Sequence, residues 1–144
     1  MDTSVIEIRA ADSATELPLP FAIQGISCGF PSPAEDYMEQ SIDLNKVLIK
    51  DKESTFFGRV KGNSMLDAHI SDGDVLVIDR SLTAHHNSIA LCMLHGEFTV
   101  KRIVKKAGKV FLHPANPSFK TIEVMPEMDF SVWGVVTYII HKAR

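Results

Sequence analysis

From Thr55 onward the chain is a series of short apolar runs cut by turn residues, and this pattern constrains the fold more than anything else in it. Thr55-Phe56-Phe57-Gly58-Arg59-Val60, Val75-Leu76-Val77-Ile78, and residues 88–94, 97–104, 109–113, 121–124 and 130–140 have strand length. They are rich in β-branched and aromatic residues, which suit a pleated, half-buried surface. Gly62-Asn63, Ser71-Asp72-Gly73-Asp74 and His95-Gly96 fall between them and bend the backbone. The run at 75–78 is apolar without alternation, as expected of a strand covered on both faces. Two residues, His95-Gly96, separate the runs at 88–94 and 97–104, so these form a hairpin. The predicted body is mainly β.

Upstream, residues 1–27 read as an arm. Ile6 and Ile8 alternate with Glu7 and Arg9 in a short strand pattern, whereas residues 10–15 have no apolar period. Leu17-Pro18-Leu19-Pro20 is held extended, because each proline excludes its predecessor from the helical region. There is no room here for the two packed helices of a helix-turn-helix. Ser32-Pro33-Ala34-Glu35 then carries the marks of a helix start: a capping serine, proline at the first helical position and glutamate three residues after the cap. That helix is expected to run to about Gln40. A second short helical piece is expected from Asp43, including Leu44, Val47 and Leu48.

With 144 residues, 45% of them hydrophobic, the chain has enough apolar material for one compact domain. No run of eighteen apolar residues could cross a membrane. Met1-Asp2-Thr3-Ser4 lacks the basic start and apolar core of a signal peptide, so the expectation is a cytosolic protein. Cys28 and Cys92 stand far apart without metal-ligand spacing and read as free thiols, and no metal or cofactor is expected. A net charge of −3 opposes direct DNA binding, which needs clustered cations to displace counterions from phosphates. The one dense basic stretch, Lys101-Arg102 with Lys105-Lys106, is read as a solvated hairpin end.

Two residues nevertheless point to chemistry. Ser64 follows Gly62-Asn63 in a tight turn, and Lys101 interrupts an otherwise apolar strand. A serine hydroxyl needs a base. The histidines at 69, 85, 86, 95, 113 and 141 are scattered over turns and ends and make no Ser-His-Asp set. A lysine can serve when burial favours its neutral form, and on a strand Lys101 shares a face with Thr99 and Ile103. The sharp turn leaves the backbone N–H groups of Asn63 and Ser64 in place to form an oxyanion hole. Spacing alone does not pair the two side chains. A lysine edging the sheet into water beside a serine that merely finishes a turn satisfies the same pattern.

Four blocks in order tip the balance: Cys28-Gly29-Phe30-Pro31-Ser32-Pro33-Ala34, Gly62-Asn63-Ser64-Met65, Ile70-Ser71-Asp72-Gly73-Asp74 and Gly96-Glu97-Phe98-Thr99-Val100-Lys101. Together they resemble the LexA/UmuD-type family of Ser/Lys self-cleaving proteins over roughly residues 27–140. The resemblance implies a LexA C-terminal-domain-like, signal-peptidase-like β-fold with a flexible N-terminal arm. It implies that Ser64 is the nucleophile and Lys101 the general base. The bond cut is then Cys28-Gly29, dividing an arm, 1–28, from a catalytic and dimerisation domain, 29–144. It further implies stimulation by a RecA filament on single-stranded DNA, and a homodimer that joins a UmuC-type Y-family polymerase as the error-prone polymerase V. The missing helix-turn-helix fits the SOS mutagenesis branch rather than a repressor. The first 26 residues depart from the family pattern, and Asn63 stands where Asp is also common. Two other readings compete. A type I signal peptidase pairs the same residue types but needs a membrane anchor, and a non-cleaving dimeric polymerase-binding module would leave Ser64 and Lys101 idle.

Overall fold

The turn residues do what the pattern requires, and in the computed structural model, which describes residues 4–10, 18–21 and 40–143, the runs close into an eight-stranded antiparallel sheet. In chain order the strands are β1 (Ser4–Ala10), β2 (Pro18–Phe21), β3 (Gln40–Asp43), β4 (Thr55–Lys61), β5 (Val75–Asp79), β6 (Ile89–Leu94), β7 (Glu97–Lys106), β8 (Lys109–His113), β9 (Ile122–Glu123) and β10 (Phe130–Ile140). The large sheet runs β1-β4-β5-β10-β6-β7-β8-β9, and β2 pairs with β3 as a separate ribbon. One helix, α1 (Leu44–Leu48), follows β3, capped by the Asp43 carboxylate accepting from the Asn45 N–H at 3.0 Å. It begins where the second helical piece was expected. The helix expected from Ser32 and the Cys28-Gly29 bond lie outside the described residues, although Gln40, at the expected end of that helix, opens β3.

The expected hairpin forms with His95 and Gly96 both at positive φ, 52° and 80°, the geometry that matches the right-handed twist of its strands. A second two-residue connection, Ala107-Gly108, joins β7 to β8 with φ of 52° and 74°. The sequence concealed it, because alanine is not a residue that announces left-handed backbone.

Leu76, Val77 and Ile78 of β5 are fully buried, as the unbroken apolar run required. They lie between β4 on one side and β10 on the other. Each such side chain contributes about 1.5–3 kcal/mol by leaving water. The arm is not separate from this sheet: β1 pairs along β4 from Ser4 opposite Lys61 to Ala10 opposite Phe56, and Ile8 packs on the main core. Beyond β4, β1 also approaches β7, although four strands lie between them in the sheet order. The sheet therefore curls, and this curl positions the site described below.

Gly134 of β10 leaves no room for a side chain against β5. A β-carbon there would lie 2.6 Å from Ile78 Cγ2, inside the packed core. Gly134→Ala is expected to cost about 1–3 kcal/mol by overpacking, read as an earlier denaturation midpoint with an unchanged m-value.

Candidate active site

The chain reverses sharply after β4. Gly62 takes φ 102°, a conformation that other residues adopt at a cost, and its N–H donates to the Asp72 carboxylate at 2.8 Å. The Leu66 N–H returns to the Asn63 carbonyl at 3.3 Å, and Leu66–Ala68 completes a single 3-10 turn that His69 closes at φ 62°. Met65 is the anchor: it is fully buried in the main core, and its Sδ accepts from the Ala115 N–H at 3.3 Å. Ser64 is thus carried inward by its neighbour and is itself fully buried.

Lys101 arrives from the far side of the curl. It stands in β7 opposite Ala90 of β6, and that small partner leaves room for a long side chain to lie within the protein. Only 1% of Lys101 is exposed. Its Nζ donates to Thr99 Oγ1 at 2.7 Å and to the Val100 carbonyl at 3.2 Å, and lies 3.4 Å from Ser64 Oγ. The face shared with Thr99, read from strand alternation, is thus used directly. The last distance is long for a hydrogen bond between such groups, as catalytic contacts often are before substrate is seated. Lys101 also leaves the supposed basic patch, since Arg102, Lys105 and Lys106 face outward without it.

Cys92, opposite Thr99 on β6, lines the same interior. Burial, the larger influence, pushes its thiol from 9.0 up to about 12, and the nearby Lys101 charge pulls the other way. It is a free thiol. The histidines take no part in the pair: His86 accepts the Lys105 N–H and His141 Nδ1 meets Asp74 Oδ1 at 2.6 Å. Among the described residues no cluster of acidic, histidine or cysteine side chains could hold a metal, and no helix is long and apolar enough to cross a membrane.

Sequence reading missed the loop after β8. Asn116 Nδ2 donates to the Asn63 carbonyl at 2.8 Å, and the Asp67 N–H donates to the Ala115 carbonyl at 2.6 Å. Asn116 also accepts the Ser118 N–H through Oδ1 at 3.0 Å, a local turn that the string Asn-Pro-Ser could have signalled. Its contact with a residue 53 positions away had no such signal.

Comparison with known proteins shows the family. The Peptidase S24-like family model matches residues 20–137. The protein MucA of Salmonella typhimurium is 46% identical over 121 residues, covering 83% of this chain and 82% of MucA. The protein ImpA of Shigella flexneri is 43% identical over 118 residues, 81% of this chain and 79% of ImpA. A LexA repressor of Geobacter sulfurreducens is 33% identical over 133 residues, 92% of this chain but 64% of the repressor. A mainly antiparallel β body, a buried serine beside a buried lysine and these matches lead to one conclusion: the chain belongs to the Peptidase S24-like family and is of the UmuD type.

Proposed function

We propose that the chain is a self-cleaving serine peptidase of the SOS response. On this reading it cuts its own Cys28-Gly29 bond and then serves, as a homodimer, as the accessory subunit of a translesion polymerase. One observation carries the reading: an amine and a hydroxyl lie 3.4 Å apart, both withdrawn from water, the amine on β7 and the hydroxyl in the turn that follows β4, a strand that is not a neighbour of β7 in the sheet. Ordinary core packing places apolar groups in such a position.

The reaction follows from the donors and acceptors. As the free amine, Lys101 directs its N–H groups at Thr99 Oγ1 and the Val100 carbonyl, and its lone pair faces Ser64. It takes the hydroxyl proton as Ser64 Oγ attacks the Cys28 carbonyl carbon. Negative charge then forms on the carbonyl oxygen and accepts from the backbone N–H groups of Asn63 and Ser64. Collapse breaks the Cys28–Gly29 C–N bond, Lys101 passes its proton to the Gly29 amine, and water hydrolyses the ester left on Ser64. Because the substrate is tethered, a rarely docked arm still meets the site at high effective concentration. A RecA filament on single-stranded DNA speeds the cut by favouring the docked arm. The exposed face of β10, with Val132, Tyr138 and Ile140, offers an apolar surface to a second copy. A Y-family polymerase of the UmuC type takes the shortened dimer.

The test is a pH series on purified protein without RecA. The reactive form is the free amine, so the rate is expected to rise with pH. Intact mass should identify one fragment ending at Cys28 and one beginning at Gly29. Cys92 sets the upper limit of the series. Its folded value of about 12 exceeds its ordinary 9.0, so the folded state holds that proton more tightly. The stability this provides is complete below pH 9 and falls as pH rises toward 12, by up to about 1.4 kcal/mol per unit. Rates are therefore compared below about pH 10, where that loss is still small. A rate indifferent to pH would remove Lys101 as the base, and no fragments at any pH would leave the chain as a binding module.

A further inference from the structure

We propose that Asn116 is a positioning residue for the cut, holding the Ser64 peptide so that its N–H points at the developing oxyanion; this rests on the self-cleavage reading above. In a trans peptide the carbonyl of one residue and the N–H of the next point in opposite directions, and no cis bond occurs in the described chain. Whatever holds the Asn63 carbonyl therefore also sets the direction of the Ser64 N–H. Two groups hold that carbonyl: the Leu66 N–H, at 3.3 Å within the turn itself, and Asn116 Nδ2, at 2.8 Å from outside it. The second contact is the shorter, and it comes from a separate loop.

That loop is fastened to the serine turn on both sides. The Ala115 N–H donates to Met65 Sδ, and the Ala115 carbonyl accepts from the Asp67 N–H at 2.6 Å. Asn116 is thus delivered by backbone already docked across Met65 and Asp67. Its orientation is also fixed by chemistry. The Ser118 N–H can donate only to Oδ1, and the Asn63 carbonyl can accept only from Nδ2, so the carboxamide cannot be turned over without losing both bonds. An oxyanion hole works because its donors are already aimed when charge appears. Asn116 supplies that aim through one carbonyl, without touching substrate. It also polarises the Asn63–Ser64 peptide, strengthening the N–H as a donor.

The test compares Asn116→Asp with Asn116→Ala in the full chain. Aspartate keeps the oxygen that accepts from Ser118 but replaces the donor with a carboxylate oxygen facing a carbonyl; alanine loses both functions. If Asn116 aims the peptide, Asn116→Asp cuts itself at least as slowly as Asn116→Ala, about ten- to a hundredfold below the wild type. That is less than the 10²–10³ expected when a donor is removed outright. The pH dependence keeps its shape and midpoint, because the base is untouched. The Ser64 amide nitrogen resonance moves upfield in both variants, independently of cleavage. If Asn116 only braces its own loop, Asn116→Asp cuts like the wild type and Asn116→Ala does not, and the proposal is overturned. An unmoved Ser64 amide resonance overturns it as well. A wild type that yields no Ser64-dependent fragments instead removes the self-cleavage reading, and this inference with it.

Discussion

Ser64→Ala is expected to abolish self-cleavage at every pH while leaving the fold nearly untouched. Ser64 Oγ is the hydroxyl presented by the serine turn, 3.4 Å from the Lys101 amine, whereas the other hydroxyl that amine reaches, Thr99 Oγ1 at 2.7 Å, belongs to β7 itself. Losing a nucleophile outright removes several orders of magnitude of rate, and residual cutting by oxyanion stabilisation alone would be too slow to detect. The structural change is small by comparison. Alanine keeps the buried β-carbon, and Lys101 keeps Thr99 and the Val100 carbonyl as acceptors. Stability should change by no more than about 1 kcal/mol, the usual worth of one hydrogen bond. The measurement is intact mass after prolonged alkaline incubation, with a denaturation curve on the same sample. Fragments accumulating in Ser64→Ala at the wild-type rate would place the chemistry elsewhere or in a contaminating protease.

Most of the strands were legible because each rests on local information. β5 is apolar on both faces, β10 is long and apolar, and His95-Gly96 specifies its own hairpin. Ser64 and Lys101 were legible as residue types out of place: a serine in a glycine turn and a cation in an apolar strand. Their meeting was expected from the family resemblance and not from the spacing of the residues. It depends on β10 inserting between β5 and β6, and on a curl that brings opposite parts of one sheet together, and neither is written in any window of the sequence. The same holds for Ser4–Ala10, whose alternation predicted a strand but not that β4 would be its partner. Asn116 was missed for the same physical reason. Its local turn is encoded by the residues beside it, whereas its grip on Asn63 is a product of tertiary docking.

Lys101 calls for a different substitution. It heads the largest fully buried side chains among the described residues, so alanine there would open a cavity and cost about 2–5 kcal/mol, leaving lost activity confounded with lost structure. Lys101→Met fills nearly the same volume with an unbranched apolar chain. Thr99 Oγ1 and the Val100 carbonyl lose a donor, which costs about 1–3 kcal/mol. Against that, a strongly hydrated amine no longer has to be held away from water, which relieves a penalty of several kcal/mol. The second effect is the larger. Lys101→Met is therefore expected to be at least as stable as the wild type, by up to about 2 kcal/mol, while its self-cleavage disappears. Cys92 reports on the same change independently. The Lys101 charge is the one influence that lowers its thiol, so removing it raises the thiol further and slows alkylation of the folded protein. An amine lying out in solvent would give the opposite set of results. Met would then expose apolar surface, stability would not rise, Cys92 would react as before, and cleavage would continue.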